Sequence, residues 1–341
     1  MAGAGRYAEL AAAVRSFKAE LIRPNQVERL VESSSVSEIV GALTKGQITF
    51  GEGSDLNAVE AFLIERVIDL THRLAAYAPH DSRSLIRLFS TGYELMCLKE
   101  ILKSITDQTQ PEDALRHLVP VGKFTPERCK ELIEGRNPNR AVDLIDDAVL
   151  RNFLTPRITA ERGGISALSA IDQYYYSRLW NASNLPDPLD AQSARSLIGE
   201  LIDGLNILLC FRARLLELDA KSTLDLLIPV NYALGHSLTE LTESTGVQNL
   251  MRVLEKTIYA KAFQTSSASN TGAEEVELAL DRSHAIACVN AFAGSPFNIG
   301  LALALLFLKS YELHDLFSII NGKASNVPVE RILASLILRV L

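Results

Sequence analysis

Three stretches of this chain line up at a constant spacing of 109 residues: Leu88-Phe89-Ser90-Thr91-Gly92-Tyr93-Glu94, Leu197-Ile198-Gly199-Glu200-Leu201-Ile202-Asp203 and Leu306-Phe307-Leu308-Lys309-Ser310-Tyr311-Glu312. Apolar residues fill the same columns (Leu88, Leu197, Leu306; Phe89, Ile198, Phe307), and an acid closes each stretch. The match persists downstream at Leu98, Ile207, Leu316 and at Leu102, Phe211, Ile320, and Pro120 recurs as Pro229. One unit used three times restricts the fold to a body assembled from copies that brace one another. Such bodies commonly serve as scaffolds or sockets. The spacing divides the 341 residues into expected copies 1–117, 118–226 and 227–341.

The copies read as helix. From Leu85 the apolar positions run Leu88, Leu95, Leu98, Leu102, Ile105; the second copy gives Leu197, Leu201, Leu208, Phe211, Leu215, Leu218, and the third Leu306, Leu313, Leu316, Ile320. Steps of three, four and seven mark one face of a helix, and no stretch alternates with period two. The apolar fraction of 48% is carried by Leu and Ala, which favour helix, rather than by β-branched residues and aromatics. Start signals recur as well. Ser35-Val36-Ser37-Glu38 and Thr245-Gly246-Val247-Gln248 have the form of capping boxes, and Asn137-Pro138 pairs an N-cap residue with a proline at the first helical position. Each precedes a short apolar helix at Ile39–Leu43, Leu250–Leu254 and Ala141–Ile145 respectively. Each copy is therefore expected to hold a short helix, a long middle helix and a long acid-bearing helix. Links are expected at Thr106–Thr125, Asn181–Ser193 and the low-complexity Gln264–Gly272, with a break at Gly294-Ser295-Pro296. The expected fold class is all-α, with three pseudo-symmetric helical bundles in series.

Several function classes are excluded. A net charge of −7 with no basic stripe argues against a nucleic-acid partner. The N-terminus lacks the apolar core of a signal peptide, and the longest apolar run, Ile299–Leu308, is half of what a bilayer span needs. Cys97, Cys129, Cys210 and Cys288 form no CxxC pair and read as free structural thiols in a reducing compartment; Cys97 and Cys210 fall within the helical pattern as small core residues. No phosphate cradle is present: Gly122-Lys123 and Gly322-Lys323 lack the upstream glycine and the hydroxyl. The six histidines (72, 80, 117, 236, 284, 314) show no metal-ligand spacing, and Asp146-Asp147 lacks the third acid of an isoprenoid-type motif. Asn181-Ala182-Ser183 is an inert glycosylation match. No catalytic residue, cofactor or metal is expected.

The repeated acid is the polar feature with positional weight. Three residues further on stands a small or polar residue on the same helix face: Glu94 with Cys97, Asp203 with Asn206, Glu312 with Asp315. Two readings are open. The acids are structural carboxylates that cap or pair with a neighbouring bundle, or they line one pseudo-symmetric mouth. Catalysis is the weakest use, because it needs converging groups of unlike character and a triplicated site offers like ones. Tyr174-Tyr175-Tyr176 with Trp180 is the densest aromatic spot, read as bundle core or as a contact patch.

The C-terminal third then matches a family. Phe297-Asn298-Ile299-Gly300, the run Leu308-Lys309-Ser310-Tyr311-Glu312-Leu313-His314-Asp315-Leu316, then Ile319-Ile320-Asn321-Gly322-Lys323 and Val327-Pro328-Val329-Glu330-Arg331-Ile332, resembles the signature of the C subunits of archaeal and bacterial A/V-type ATP synthases, related to the d subunit of vacuolar ATPases. Tyr7, Val14-Arg15 and Lys18 are similar to that family's opening. Asp315 stands where its pattern commonly carries asparagine, His314 and Phe317 where arginines occur, and Cys97 where the first repeat is polar. The resemblance implies that the three bundles form a funnel-like, non-catalytic socket on the cytoplasmic face of the membrane. It would sit on the proteolipid rotor ring, receive the central shaft subunits, and serve proton or sodium transport. The alternatives are a helical-repeat adaptor for other proteins, against which a 109-residue period counts, and an all-α enzyme, against which the missing acid cluster counts.

Overall fold

A computed structural model of the chain describes residues 2–48, 56–145, 147–158, 163–263 and 272–340. Residues 264–271 of the expected low-complexity loop, and Asp146, lie outside the described residues. Among those described the chain is all-α, with no strand beyond an isolated bridge between Val121 and Phe124.

The helices fall in chain order. First come α1 (Ala2–Lys18), α2 (Pro24–Glu32), α3 (Val36–Thr44), α4 (Leu56–Tyr77), α5 (Arg83–Thr106) and α6 (Pro111–His117). Then follow α7 (Pro126–Gly135), α8 (Pro138–Asp143), α9 (Ala148–Ile158), α10 (Gly163–Ala182), α11 (Pro188–Leu215) and α12 (Ala220–Leu226). Last are α13 (Ser237–Glu243), α14 (Val247–Leu254), a 3₁₀ turn Ile258–Phe263, α15 (Ala273–Ala291), α16 (Gly300–Ala324), α17 (Val329–Ser335) and a 3₁₀ turn Leu338–Val340. Each long acid-bearing helix is thus trailed by a further seven-residue helix that the apolar pattern alone did not separate from its link.

The spacing of the sequence recurs in the backbone. Helices α5, α11 and α16 end at residues 106, 215 and 324, and α6, α12 and α17 run from 111, 220 and 329. All three long helices stop in the same turn. Gln108, Glu217 and Asn326 adopt left-handed φ values of 53°, 54° and 55°. One residue on, the N–H of Thr109, Leu218 and Val327 donates back to the carbonyl of Ser104, Ala213 and Gly322 at 3.0, 2.9 and 2.8 Å. This satisfies the orphan carbonyls at the helix end.

Packing divides the chain into two compact units, and the division falls within α5 and α11. One holds Met1–Ile86, Leu185–Leu197 and Lys261–Leu341; the other holds Arg87–Asn184 and Ile198–Ala260. In the first, α16 is the central helix. It packs against α1, α2, α3, α4, α15 and α17, and every residue from Gly300 to Leu308 is buried. That explains the longest apolar run of the sequence as a helix surrounded by other helices. In the second, α9 packs on α10, α7 on α6, and α12 and α14 on α13. The stripe residues Leu98 and Ile207 are fully buried, and Leu316 nearly so. All four cysteines are free and buried.

Two start signals form as expected. Ser35 accepts from the Glu38 N–H at the start of α3, and Asn137 from the Asn139 N–H ahead of Pro138. The third does not. Gly246, with φ 79°, is the N-cap of α14, so the helix begins one residue late and Thr245 Oγ1 takes the Asn249 side chain instead. The link expected over Asn181–Ser193 is shorter: α10 runs to Ala182, and Pro188 starts α11 because a proline at the first position forfeits no hydrogen bond.

Candidate functional site

Each repeated acid lies midway along a long helix and points toward the segment that leads into a short one. Asp203 on α11 is fully buried. Its Oδ1 accepts from the Tyr232 N–H at 3.1 Å, and its Oδ2 from the N–H groups of Ala233 and Leu234 at 2.7 and 3.1 Å and from the Tyr259 hydroxyl at 2.8 Å. Burial, with Asp203 beside it, drives the Tyr259 phenol well above its usual range, so this hydroxyl keeps its proton and donates. Glu312 on α16 accepts from the Ile22 N–H at 2.5 Å and forms an almost wholly buried ion pair with Lys309 at 2.7 Å. Lys309 also donates to the Glu20 carbonyl at 3.2 Å. Glu94 on α5 is half-buried and forms no hydrogen bond or ion pair among the described residues. Its carboxyl lies against Gly122, where φ is +58° and glycine is favoured, and a Cβ there would push the Glu94 carboxyl aside.

The residue three further on fastens the segment after the short helix. The buried Asn206 amide donates to the carbonyls of Ile228 and Val230, both at 3.1 Å, and accepts from the Ile228 N–H at 2.9 Å. Asp315 accepts from the N–H groups of Ile337 and Leu338 at 2.7 and 2.9 Å. Residues 228 and 337 are themselves equivalent positions. Cys97 makes a different contact: its thiol touches that of Cys129 on α7 at 4.0 Å.

A further fastening went unread in the sequence, because the residue types differ. Gln173 on α10 donates to the carbonyls of Asp225 and Leu227. Arg282 on α15, 109 residues later, donates to those of Ala334 and Leu336. Both satisfy the open C-terminal end of a seven-residue helix, above a buried leucine (Leu118, Leu227 or Leu336) that recurs in each copy. A column of unlike donors doing one task gives no identity signal.

Several polar groups outside these columns are likewise engaged. Tyr174 and Arg178 on α10 bind Asp147, which also caps α9 through the N–H groups of Val149 and Leu150. Burial pulls the Asp147 pKa up, yet these hydrogen bonds and the Arg178 charge bring it net below the usual carboxylate range. Tyr175 closes over Gly92 and meets Tyr176 edge-on, while Trp180 meets Tyr232. Buried Asp190 accepts from Tyr7 Oη at 2.5 Å and from the Ile299 N–H at 3.0 Å. His284 Nε2 faces the Leu197 carbonyl at 2.8 Å and must carry the proton, leaving Nδ1 to accept from the Tyr311 hydroxyl. Among the described residues no group of three or more His, Cys, Asp or Glu side chains could hold a metal, and no helix is long and apolar enough to cross a membrane.

The arrangement defines an all-helical repeat protein whose repeated polar side chains, Glu94 excepted, are spent on its own backbone. The chain belongs to the ATP synthase (C/AC39) subunit family, whose pattern it matches over residues 10–335. It is similar to the C subunit of the A-type ATP synthase of Methanocaldococcus jannaschii, with 24% identity over 344 positions covering 97% of this chain and 86% of the relative. It is 26% identical to that of Methanobrevibacter smithii, covering 97% and 88%. To the C subunit of the V-type ATP synthase of Deinococcus radiodurans it is 22% identical, covering 96% and 90%. The chain is accordingly a non-catalytic subunit of an A/V-type ATP synthase.

Proposed function

We propose that this chain is the central-stalk coupling subunit of its rotary complex. It would join the proteolipid rotor ring to the central shaft subunits on the cytoplasmic side of the membrane, held there peripherally, and pass torque for proton or sodium transport. The observation that carries the reading is the repeated fastening. A torque element must be stiff, and here α11 and α16 are tied by buried polar side chains to the segments beyond them, and α5 by the Cys97–Cys129 contact. The copies 1–117, 118–226 and 227–341 are then three braces of one socket, and Asp203, Asn206, Glu312 and Asp315 hold its walls rather than touch the shaft. Glu94, which fastens nothing among the described residues, is the member of the column left for such a contact. Ring and shaft surfaces face water before assembly, so the contacts are largely polar and weaken with salt.

The test is deletion of this chain from the complex in membranes. The expected result is ATP hydrolysis retained by the soluble sector with ion pumping abolished, and pumping restored on adding the chain back. Pumping that survives deletion, or hydrolysis lost from the separated soluble sector, would refute the coupling role.

A further inference from the structure

The recurrent fastening has one junction unlike the others. From α6 the chain runs on through residues 118–125 into α7, and from α12 through residues 227–236 into α13, and each short helix packs on the one before it. Against α17 the corresponding helix is α2, which comes from residues 24–32. Helix α2 opens like α7, with a proline at the first position: Pro24 and Pro126. The acids agree. Asp203 holds the N–H groups of residues 232–234 just ahead of α13, Glu94 lies against Gly122 ahead of α7, and Glu312 holds the Ile22 N–H ahead of α2. Glu312 thus does across 290 residues of sequence what Asp203 does across about 30.

This junction is closed by side chains where the other two are closed by peptide bonds. Its acid receives one backbone N–H and Lys309, whereas Asp203 receives three N–H groups and a hydroxyl. It is also imperfectly filled. A partly open pocket of about 140 Å³ lies in it, lined by Val27, Leu316 and Leu333 together with the charged Glu312, Asp315 and Arg339. Solvent already reaches between the two sides, so parting them exposes less new apolar surface than parting a closed interface.

We propose that the α2–α17 junction is a seam that opens locally while the α6–α7 and α12–α13 junctions stay closed, with Glu312, Lys309 and the lead-in segment around Ile22 as its latch. The opening is a property of this chain alone and does not depend on which partners it couples.

Amide exchange of the full chain, read by mass spectrometry at neutral pH, tests it. Peptides covering 22–32 and 329–338 should exchange at least about tenfold faster than their counterparts at 124–135 and 233–243. Glu312→Ala, and separately Lys309→Ala, should quicken the seam peptides further and leave the counterparts unchanged. A double variant, Val27→Cys with Leu333→Cys, bridged by a short bismaleimide, should slow the seam peptides to the level of the counterparts; the four native thiols are buried and spared. Equal protection at all three junctions in the unmodified protein would overturn the proposal. So would latch variants that raise exchange evenly everywhere, or a cross-link that leaves the seam peptides fast.

Discussion

Acidification should pull on this protein through one buried and one part-buried group with opposite signs, and removing either one should expose the other. His284 is buried between Phe307 and Tyr311, and desolvation lowers its pKa from 6.5 to about 4. Between those values the unfolded chain binds a proton that the folded chain refuses, so stability falls as pH drops through this window. Asp281, on the same helix, is pushed from 3.8 to about 7 by burial and by the charge of Glu277. Between those values the folded chain holds a proton that the unfolded chain has released, so stability rises as pH drops. Integrated from pH 7.5 to 5, His284 should cost about 2 kcal/mol and Asp281 should return about 2 kcal/mol. The wild-type response from this pair is therefore nearly level. His284→Gln, which can still donate to the Leu197 carbonyl, should gain about 2 kcal/mol on acidification, and Asp281→Asn should lose about as much. Groups that neither substitution touches cancel in the comparison; His314, whose pKa is raised chiefly by its hydrogen bond to Asp315 and also by the charge of Asp281, cancels only for His284→Gln, and in Asp281→Asn its smaller shift adds to the loss. Urea unfolding followed by circular dichroism at the two pH values supplies the numbers. If both variants track the wild-type pH response to within about 0.5 kcal/mol, the two groups are not buried as described and the reasoning fails.

Two further outcomes are expected. Among the repeated acids, Asp203→Ala should cost about 3–5 kcal/mol, because it strands three backbone donors and a buried hydroxyl, while Glu94→Ala should cost less than about 1 kcal/mol, having no hydrogen bond to lose; urea midpoints that reverse this order would show that equivalence in sequence, and not the bonds made, sets the cost. Truncating Leu98, Ile207 or Leu316 to Ala should cost about 2–5 kcal/mol each, and losses below about 1 kcal/mol at all three would mean that the stripe is not core.

The repeat was legible because it is written in residue identity. A leucine stripe with an acid at a fixed register keeps the same residue classes in all three copies, and burial demands that they stay so. The turn that ends each long helix was not legible. Its left-handed position is held by Gln108, Glu217 and Asn326, three unlike residues and none a glycine, because the 6→1 bond fixes the backbone whatever the side chain. Gln173 and Arg282 were hidden for a related reason: a bare carbonyl accepts from any N–H donor of sufficient reach. The capping box at Thr245 misled in the other direction. Its spacing was right, but Gly246 at positive φ gave the chain a cheaper way into the helix, and the threonine was left to bind Asn249.

The column at 97, 206 and 315 shows how a copy diverges without losing its place. Asn206 meets two carbonyls and one N–H, and only an amide can donate to the first and accept from the second. Asp315 meets two N–H groups and no carbonyl. An asparagine there, as the related pattern commonly has, would turn its own N–H₂ toward one of those donors, so the aspartate is matched to the backbone this copy presents. Cys97 meets another thiol and needs neither a strong donor nor a strong acceptor. Each residue is thus dictated by the groups that the segment after the short helix offers to it, and the three segments differ because two of them run on into a following short helix. The third is instead met by α2, from far away in sequence. The side chain in this column therefore records which kind of junction lies beside it, and the aspartate stands beside the seam.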